Sequence, residues 1–173
     1  MYELKMKKPT NFKPDQEIVL ESKTVKGNYL NTGTDHSVIF LEDNPGIGNL
    51  EIADVFNLGR SIRHHEVYKP IGTNVNFVSK TGTNDIQIRT YERGVEDETL
   101  ACGTGSVASA LLSSIKFQMK SPVKVKVLSG AILEISFEKN GDGSFSNIIL
   151  KGPADNVFKG IINVSNSFNI AYE

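Results

Sequence analysis

The 173-residue chain contains a single cysteine, no tryptophan and no large excess of charge of either sign. One cysteine cannot form an internal disulfide, so cysteine usage does not point to an oxidising compartment. A formal net charge of -1 supplies neither the basic surface that nucleic-acid binding favours nor a strongly acidic tail. No apolar run approaches the ~20 residues that a membrane-spanning helix requires. These absences predict a cytoplasmic protein with no nucleic-acid or membrane partner.

The composition is that of an ordinary globular domain. Hydrophobic residues make up 39% of the chain and charged residues 23%. The length is sufficient for one hydrophobic core. Because the chain shows no internal repeat, low-complexity tract or linker, we predict a single domain over residues 1–173.

Most of the chain alternates apolar and polar residues, a pattern typical of β-strands. We predict strands at residues 17–22, 29–31, 36–42, 73–80, 84–93, 122–128, 131–137, 144–152 and 157–164. Turn sequences rich in glycine, threonine and asparagine separate several of these segments. Residues 160–173 alternate in the same way, and an exposed edge there would favour self-association of the chain.

Two segments have helical periodicity instead. Residues 50–65 carry apolar side chains near helical spacing and end in two arginines and two histidines, which suit a helix C-terminus. Residues 105–117 combine an apolar stripe with small serine and alanine side chains, and a helix without a charged face is normally buried on all sides. We therefore predict an α+β fold, with antiparallel strands wrapped around one buried central helix and a second helix on the surface.

The only thiol, Cys102, precedes the predicted central helix in the sequence Ala-Cys-Gly-Thr-Gly. A helix N-terminus presents unpaired N–H groups and a partial positive charge, which lower the pKa of a cysteine from ~8.5. The same N–H groups can hold a carboxylate or an enolate-like oxygen. We predict a reactive thiolate beside an anion-binding turn; a buried structural cysteine is the simplest alternative.

Two phosphate-binding motifs are similar to this segment without matching it. Residues 103–108 fit G-x-G-x-x-A, but a dinucleotide site needs an apolar strand before the motif and an acidic residue ~20 positions after it. The Lys-Ser/Thr ending of a phosphate loop is also missing. No cysteine and histidine spacing suggests zinc. The sequence therefore predicts neither a cofactor nor a metal.

Few side chains are available as chemical partners of Cys102. His36 stands at a turn-to-strand boundary, and a Cys102–His36 hydrolase would need the two within hydrogen-bond reach. Glu92 ends the apolar face of its predicted strand, whereas Arg93 points the other way. Such opposite charges beside a thiol can bind a zwitterion such as an amino acid. Residues 96–98 read most simply as a solvated acidic loop.

Four motifs resemble the diaminopimelate epimerase family. Residues 91–112 resemble its second cysteine motif, in which E-R-G and E-T lead into A-C-G-T-G. Residues 32–43 resemble its T-G-N-P-H turn, with Asp35 in place of the proline. Residues 58–78 resemble the helix and asparagine-bearing strand that follow, and 151–160 resemble the closing G-P-A…V-F-x-G segment. The order and spacing of these motifs hold over nearly the whole chain.

The resemblance implies a function. Family members interconvert LL- and meso-diaminopimelate, on the way to lysine and peptidoglycan, with neither pyridoxal phosphate nor a metal. Two cysteines lie on opposite sides of the α-carbon; one removes the proton as a thiolate and the other returns one as a thiol. By this resemblance Cys102 is one of the two, and His36 and Glu92 match residues that set the protonation states of the thiols.

The resemblance also implies contacts with the substrate. Asn74 and Arg93 match substrate-binding positions. Gly103 and Thr104 match the helix-start amides that hold the α-carboxylate. Thr34 stands where the family has asparagine, so its hydroxyl is the expected substitute for that contact.

Family members have two pseudo-symmetric halves with one cysteine in each, and this chain resembles the second half alone. We expect the N-terminal half, with the other thiol, to be supplied in cis or in trans, and we expect the chain alone not to epimerise. Possible assemblies include a homodimer. The alternatives are a non-catalytic half-subunit and a related proline-racemase-like isomerase; phenazine-pathway isomerases share the fold family but lack this cysteine.

Overall fold

The computed structural model describes residues 1–161, which form one mixed ten-stranded sheet and two α-helices. The strands are β1 (Tyr2–Lys5), β2 (Thr10–Val19), β3 (Thr24–Asn31), β4 (Asp35–Phe40), β5 (Asn74–Lys80), β6 (Asp85–Glu92), β7 (Asp97–Thr99), β8 (Val123–Lys126), β9 (Ile132–Lys139) and β10 (Phe145–Gly152). The helices are α1 (Val55–Arg63) and α2 (Gly103–Lys116), and short 3-10 turns lie at Leu41–Asp43, Pro45–Ile47 and Glu66–Tyr68. Neither helix of this part of the chain has the length and apolarity needed to cross a membrane.

The strand order is β1-β10-β9-β8-β6-β5-β4-β3-β2, and β7 pairs with β6 beside this path. Most neighbours are antiparallel, as predicted, but β4–β5 and β6–β8 are parallel. These two pairs are the places where a helix joins the strands, α1 between β4 and β5 and α2 between β6 and β8. A parallel pair needs such a long crossover connection. The residue pattern of each single strand does not show that the two strands pair in parallel.

Helix α2 is the predicted central helix, and the α+β fold is confirmed. It contacts β3, β4, β5, β6, β8, β9 and β10, so the sheet curves around it. Its residues from Gly105 to Ser114 are all buried. Small side chains such as Ala108 and Ala110 allow strands to approach from several sides, while Leu111 fills the middle of this core.

Helix α1 covers the opposite face of the sheet, where Val55 and Ile62 are buried. It approaches so closely that a Cβ at Gly59 would lie 2.4 Å from Cβ of Tyr91. The helix begins at Val55 rather than at residue 50 as predicted. The Asp54 side chain caps the helix by accepting from the amide of Asn57 (3.1 Å), so the chain before it forms a turn.

The strand predictions held from β4 to β10 apart from β7, included only the end of β3, and failed near the ends of the chain. Strands β1 and most of β2, which form the two edges of the sheet, were not predicted. Residues 157–161 are not in a strand, so that part of the 157–164 prediction is wrong; residues 162–173, with the proposed edge, lie outside the described part. Residues 97–99 form β7 rather than a solvated loop, and Glu98 makes a paired ion contact with Arg89 (2.6 and 2.7 Å).

Candidate active site

Cys102 is the N-cap residue of α2, and the residue is 8% exposed. Its sulfur accepts a hydrogen bond from the amide of Gly105 at 3.4 Å. Glycine is required there because a Cβ would lie 2.2 Å from Oδ1 of Asn76. The start of the central helix therefore packs directly against β5, and the thiol lies where the buried helix begins.

The sequence predicted a thiol with a lowered pKa, but in this structure the pKa of Cys102 is raised. Burial, followed by the negative charge of Glu92, raises the pKa of Cys102 to about 11. Hydrogen bonds from the amide of Gly105 and the hydroxyl of Thr104 act in the opposite direction without offsetting these effects. The helix N-terminus does favour the thiolate, but loss of water and a nearby carboxylate disfavour it more strongly.

Glu92 ends β6 and is half-buried. Its carboxylate accepts a hydrogen bond from the hydroxyl of Thr99 at 2.7 Å, across the β6–β7 pair. This short hairpin, part of which was predicted as a loop, therefore holds Glu92 close enough to Cys102 to influence the charge of the thiol.

His36 is completely buried between the sheet and the start of α2. Its Nε2 lies 2.9 Å from the hydroxyls of Thr34 and Thr104, and its Nδ1 lies 3.1 Å from the side-chain amide of Asn76. Burial lowers the pKa of His36 to about 3, despite a smaller opposing effect of Asp35. Within residues 1–161 no hydrogen bond joins His36 to Cys102, so the contact that the hydrolase alternative requires is not present.

The turn before β4 is joined to the start of α2. Thr32 donates to the carbonyl of Thr104 at 3.0 Å, and the hydroxyls of Thr34 and Thr104 are 3.3 Å apart. Thr34 is exposed, although its hydroxyl also contacts His36. A ligand above the helix start would therefore meet Thr34 and Thr104 together.

Asn74 and Arg93 lie in an adjoining network. Asn74 accepts from the backbone amide of Arg93 at 2.9 Å and donates to the carbonyl of Asp35 at 2.8 Å. The guanidinium of Arg93 pairs with Asp35 at 3.0 Å and donates to the carbonyl of Gly72 at 3.0 Å. Asn74 thus bridges β4 and the turn after β6, and Arg93 already has a carboxylate partner.

Asp35 is a site residue to which the sequence analysis assigned no role. Burial raises the pKa of its carboxyl, but hydrogen bonds from Tyr29, Asn31 and Arg93 outweigh burial and hold that pKa below its ordinary value. Tyr29 and Asn31 donate to the same oxygen, Asn31 at 2.8 Å. Asp35 is therefore a stable negative partner of Arg93; its only signal in the sequence is that it replaces a family proline.

Two further polar residues, Asn76 and Thr90, lie fully or almost fully buried beneath the helix start and were not among the predicted site residues. Their signal was available, since Asn76 interrupts the apolar strand Val75–Val78 with a side chain that must be satisfied when buried. All eight predicted site residues lie at this end of the sheet: Thr34, His36, Asn74, Glu92, Arg93, Cys102, Gly103 and Thr104. In the described part, no group of three or more potential metal ligands comes together.

The fold is shared with two solved structures, a hydroxyproline epimerase and a probable proline racemase. A hydroxyproline epimerase from Agrobacterium vitis superposes with a TM-score of 0.67 and 14% identity, over 87% of this chain and 49% of that one. A probable proline racemase from Agrobacterium radiobacter K84 gives 0.66 and 16%, over 87% and 49%. Identities this low demonstrate a shared fold and nothing more.

Sequence comparison identifies the family. The family model for diaminopimelate epimerase matches residues 28–157. The chain is 43% identical to the diaminopimelate epimerase of Hydrogenobaculum sp. (strain Y04AAS1) and 42% identical to that of Aquifex aeolicus (strain VF5), over 84% and 86% of its length. It belongs to the diaminopimelate epimerase family. The chain spans about half the length of the relatives it matches, 50% in both cases.

Proposed function

We propose that this chain contributes one of the two thiols of a cofactor-independent epimerase that interconverts LL- and meso-diaminopimelate. The main support is the position of Cys102 at the start of a buried helix. The amides of Gly103 and Thr104 have no acceptor within residues 1–161. An α-carboxylate held by these amides would bring its α-carbon beside the sulfur.

The protonation state of Cys102 suggests its role in one direction of the reaction. With a pKa of about 11, the sulfur is a thiol near neutral pH. A thiolate from the other half would remove the α-proton, and Cys102 would donate a proton to the opposite face of the resulting carbanion. The configuration inverts, the total number of protons is unchanged, and the two thiols exchange protonation states.

The charges near the site suit a substrate that carries two amino-acid groups. Arg93 and Asp35 present opposite charges, with side chains 23% and 17% exposed. The second ammonium and carboxylate of diaminopimelate can pair with such a couple. Thr34, which is exposed, would border the helix start beside Thr104, and the buried His36 would act from beneath through its contact with the Thr104 hydroxyl. Asn74 would act by holding Arg93 and Asp35 in place.

The function is tested by hydrogen exchange in D2O. The purified chain is incubated with LL-diaminopimelate, alone and with the separately purified N-terminal half of the Aquifex aeolicus relative, and proton NMR follows the α-proton and the meso product. We expect no epimerisation by the chain alone and measurable meso product with the added half. A Cys102→Ala variant should abolish that product.

Several outcomes would contradict the proposal. Conversion by the chain alone would show that a second half is unnecessary, and undiminished conversion by Cys102→Ala would remove the thiol from the mechanism. Inversion of proline or hydroxyproline, but not diaminopimelate, would favour the racemase-like alternative. Failure with both substrate classes in the presence of the second half would favour a non-catalytic subunit.

A further inference from the structure

We infer that Asn76 and Thr104 are positioning residues for the thiol: Asn76 sets the tautomer of His36, and His36 directs the hydroxyl of Thr104 towards the sulfur of Cys102. The catalytic use of this arrangement rests on the proposed function, whereas the arrangement itself is a property of the described chain. It assigns roles to two side chains that the two-thiol chemistry does not itself require.

The orientation of the Asn76 amide is determined by two neighbours other than His36. Its Oδ1 accepts from the hydroxyl of Thr90 at 3.0 Å, and its Nδ2 is 3.3 Å from the carbonyl of Ser37. A hydroxyl can donate to Oδ1, and a carbonyl can only accept, so the alternative orientation of the amide would lose the contact with Ser37. The NH2 group of Asn76 therefore faces His36.

This orientation determines which nitrogen of His36 carries the hydrogen. The NH2 group of Asn76 donates to Nδ1 at 3.1 Å, so Nδ1 must be unprotonated. A neutral imidazole then has its hydrogen on Nε2, which lies 2.9 Å from the hydroxyl oxygens of Thr34 and Thr104. His36 is fully buried, and within residues 1–161 its ring forms no hydrogen bond to a carboxylate, so the neutral form of the imidazole is favoured.

The hydroxyl of Thr104 completes the chain. Its oxygen faces the Nε2 hydrogen of His36 and lies 3.3 Å from the hydroxyl of Thr34. The contact between Thr34 and Thr104 can run in either direction; with Thr34 as the donor, the hydrogen of Thr104 is left for the sulfur of Cys102, 3.7 Å away. The opposite tautomer would reverse this direction, because an unprotonated Nε2 would accept the hydroxyl hydrogen instead.

Donation by Thr104 favours the thiolate and holds the sulfur in one orientation. It adds to the amide of Gly105, on α2, and opposes burial and the carboxylate of Glu92, on β6. Within residues 1–161, Glu92 is the charged group that acts on the sulfur, and neutral His36, on β4, acts through Thr104. Removing the hydroxyl should therefore make the thiolate harder to form.

The first test uses the chain without any partner or substrate, because Cys102 is its only cysteine. The rate of alkylation by iodoacetamide is measured from about pH 7 to pH 11 for the native chain and for Thr104→Val, Thr104→Ser and Thr83→Val. A hydrogen bond to a charged group predicts that Thr104→Val is alkylated about tenfold more slowly near pH 8. Thr104→Ser keeps the hydroxyl and should stay within about twofold of the native rate, as should Thr83→Val, at an exposed position in the turn between β5 and β6.

The second test reads the tautomer directly and needs no variant of Thr104. The imidazole ¹⁵N shifts of His36 in the native chain should show a neutral ring with hydrogen on Nε2 from about pH 5 to pH 8. Asn76→Asp offers an acceptor in place of the NH2 group and should move the hydrogen to Nδ1 or charge the ring.

Two results would overturn the inference. Hydrogen on Nδ1 in the native chain would reverse the direction of the Thr104 hydroxyl. An alkylation profile unchanged in a folded Thr104→Val would show that this hydroxyl does not act on the sulfur. If Thr104→Val does not fold, the ¹⁵N measurement still decides the direction. None of these readouts depends on epimerisation, so they remain informative if the proposed function fails.

Discussion

Replacing Glu92 with glutamine should make Cys102 more reactive. The substitution removes the negative charge that acts on the sulfur but keeps the shape of the side chain and an oxygen that can accept from Thr99 at 2.7 Å. Glu92 is half-buried, so its charge is less screened by water than that of an exposed carboxylate. A neutral side chain at this position should therefore lower the pKa of the thiol.

The size of the effect follows from the pKa of Cys102. A pKa of about 11, compared with ~8.5 to 9.0 for an unperturbed thiol, leaves about one hundredth or less of the thiolate that such a thiol would have near pH 8. Burial is the largest cause and remains in the variant, so only part of this hundredfold suppression can be recovered. We expect alkylation near pH 8 to become about three- to tenfold faster.

The assay is the rate of iodoacetamide labelling of the intact chain, followed by mass spectrometry across pH. Glu21→Gln is the matched control, because Glu21 is exposed in the turn between β2 and β3 and should leave the rate unchanged. Thermal unfolding of both variants separates a change in thiol chemistry from a loss of structure. An unchanged or slower rate in a folded Glu92→Gln chain would refute the argument that Glu92 suppresses the thiolate.

Three further predictions concern stability. The pKa of His36 falls to about 3 on burial, so the unfolding free energy should be highest above about pH 6.5. It should fall by up to ~1.4 kcal/mol per pH unit as the pH drops towards 3. Urea unfolding should show this slope in the native chain, and His36→Asn should lack it. Gly105→Ala should destabilise the chain by about 2 kcal/mol or more, because its Cβ would lie 2.2 Å from Oδ1 of Asn76; Gly103→Ala, with its nearest contact at 3.3 Å, should cost much less, and equal melting temperatures would contradict the close approach. Leu111→Ala should cost about 3–5 kcal/mol in denaturant unfolding, because Leu111 is completely buried at the centre of the helix core; a cost below ~1 kcal/mol would mean that the core collapses around the gap.

Much of the site could be predicted from the sequence because its signals are local. Small and apolar residues in 105–117 marked a helix buried on every side, and Cys102 before two glycines marked its beginning. The alternation of residues 84–93 placed Glu92 on the interior face and Arg93 on the other. Each of these features depends on neighbours within one turn or one strand.

What only the tertiary structure decided depends on residues far apart in the chain. The parallel pairing of β4 with β5 follows from where α1 packs, and no local pattern contains it. The raised pKa of Cys102 arises because α2 is surrounded by strands that exclude water and because β6 brings Glu92 to the sulfur. Local helix geometry favours a thiolate, whereas burial by distant segments disfavours it. For Cys102, the loss of water around the charged sulfur is the larger of the two effects. The sequence by itself therefore indicated the thiol, its helix and Glu92, whereas the packing of the whole sheet brought Asp35, Asn76 and Thr90 into the site and decided the charge that the thiol carries.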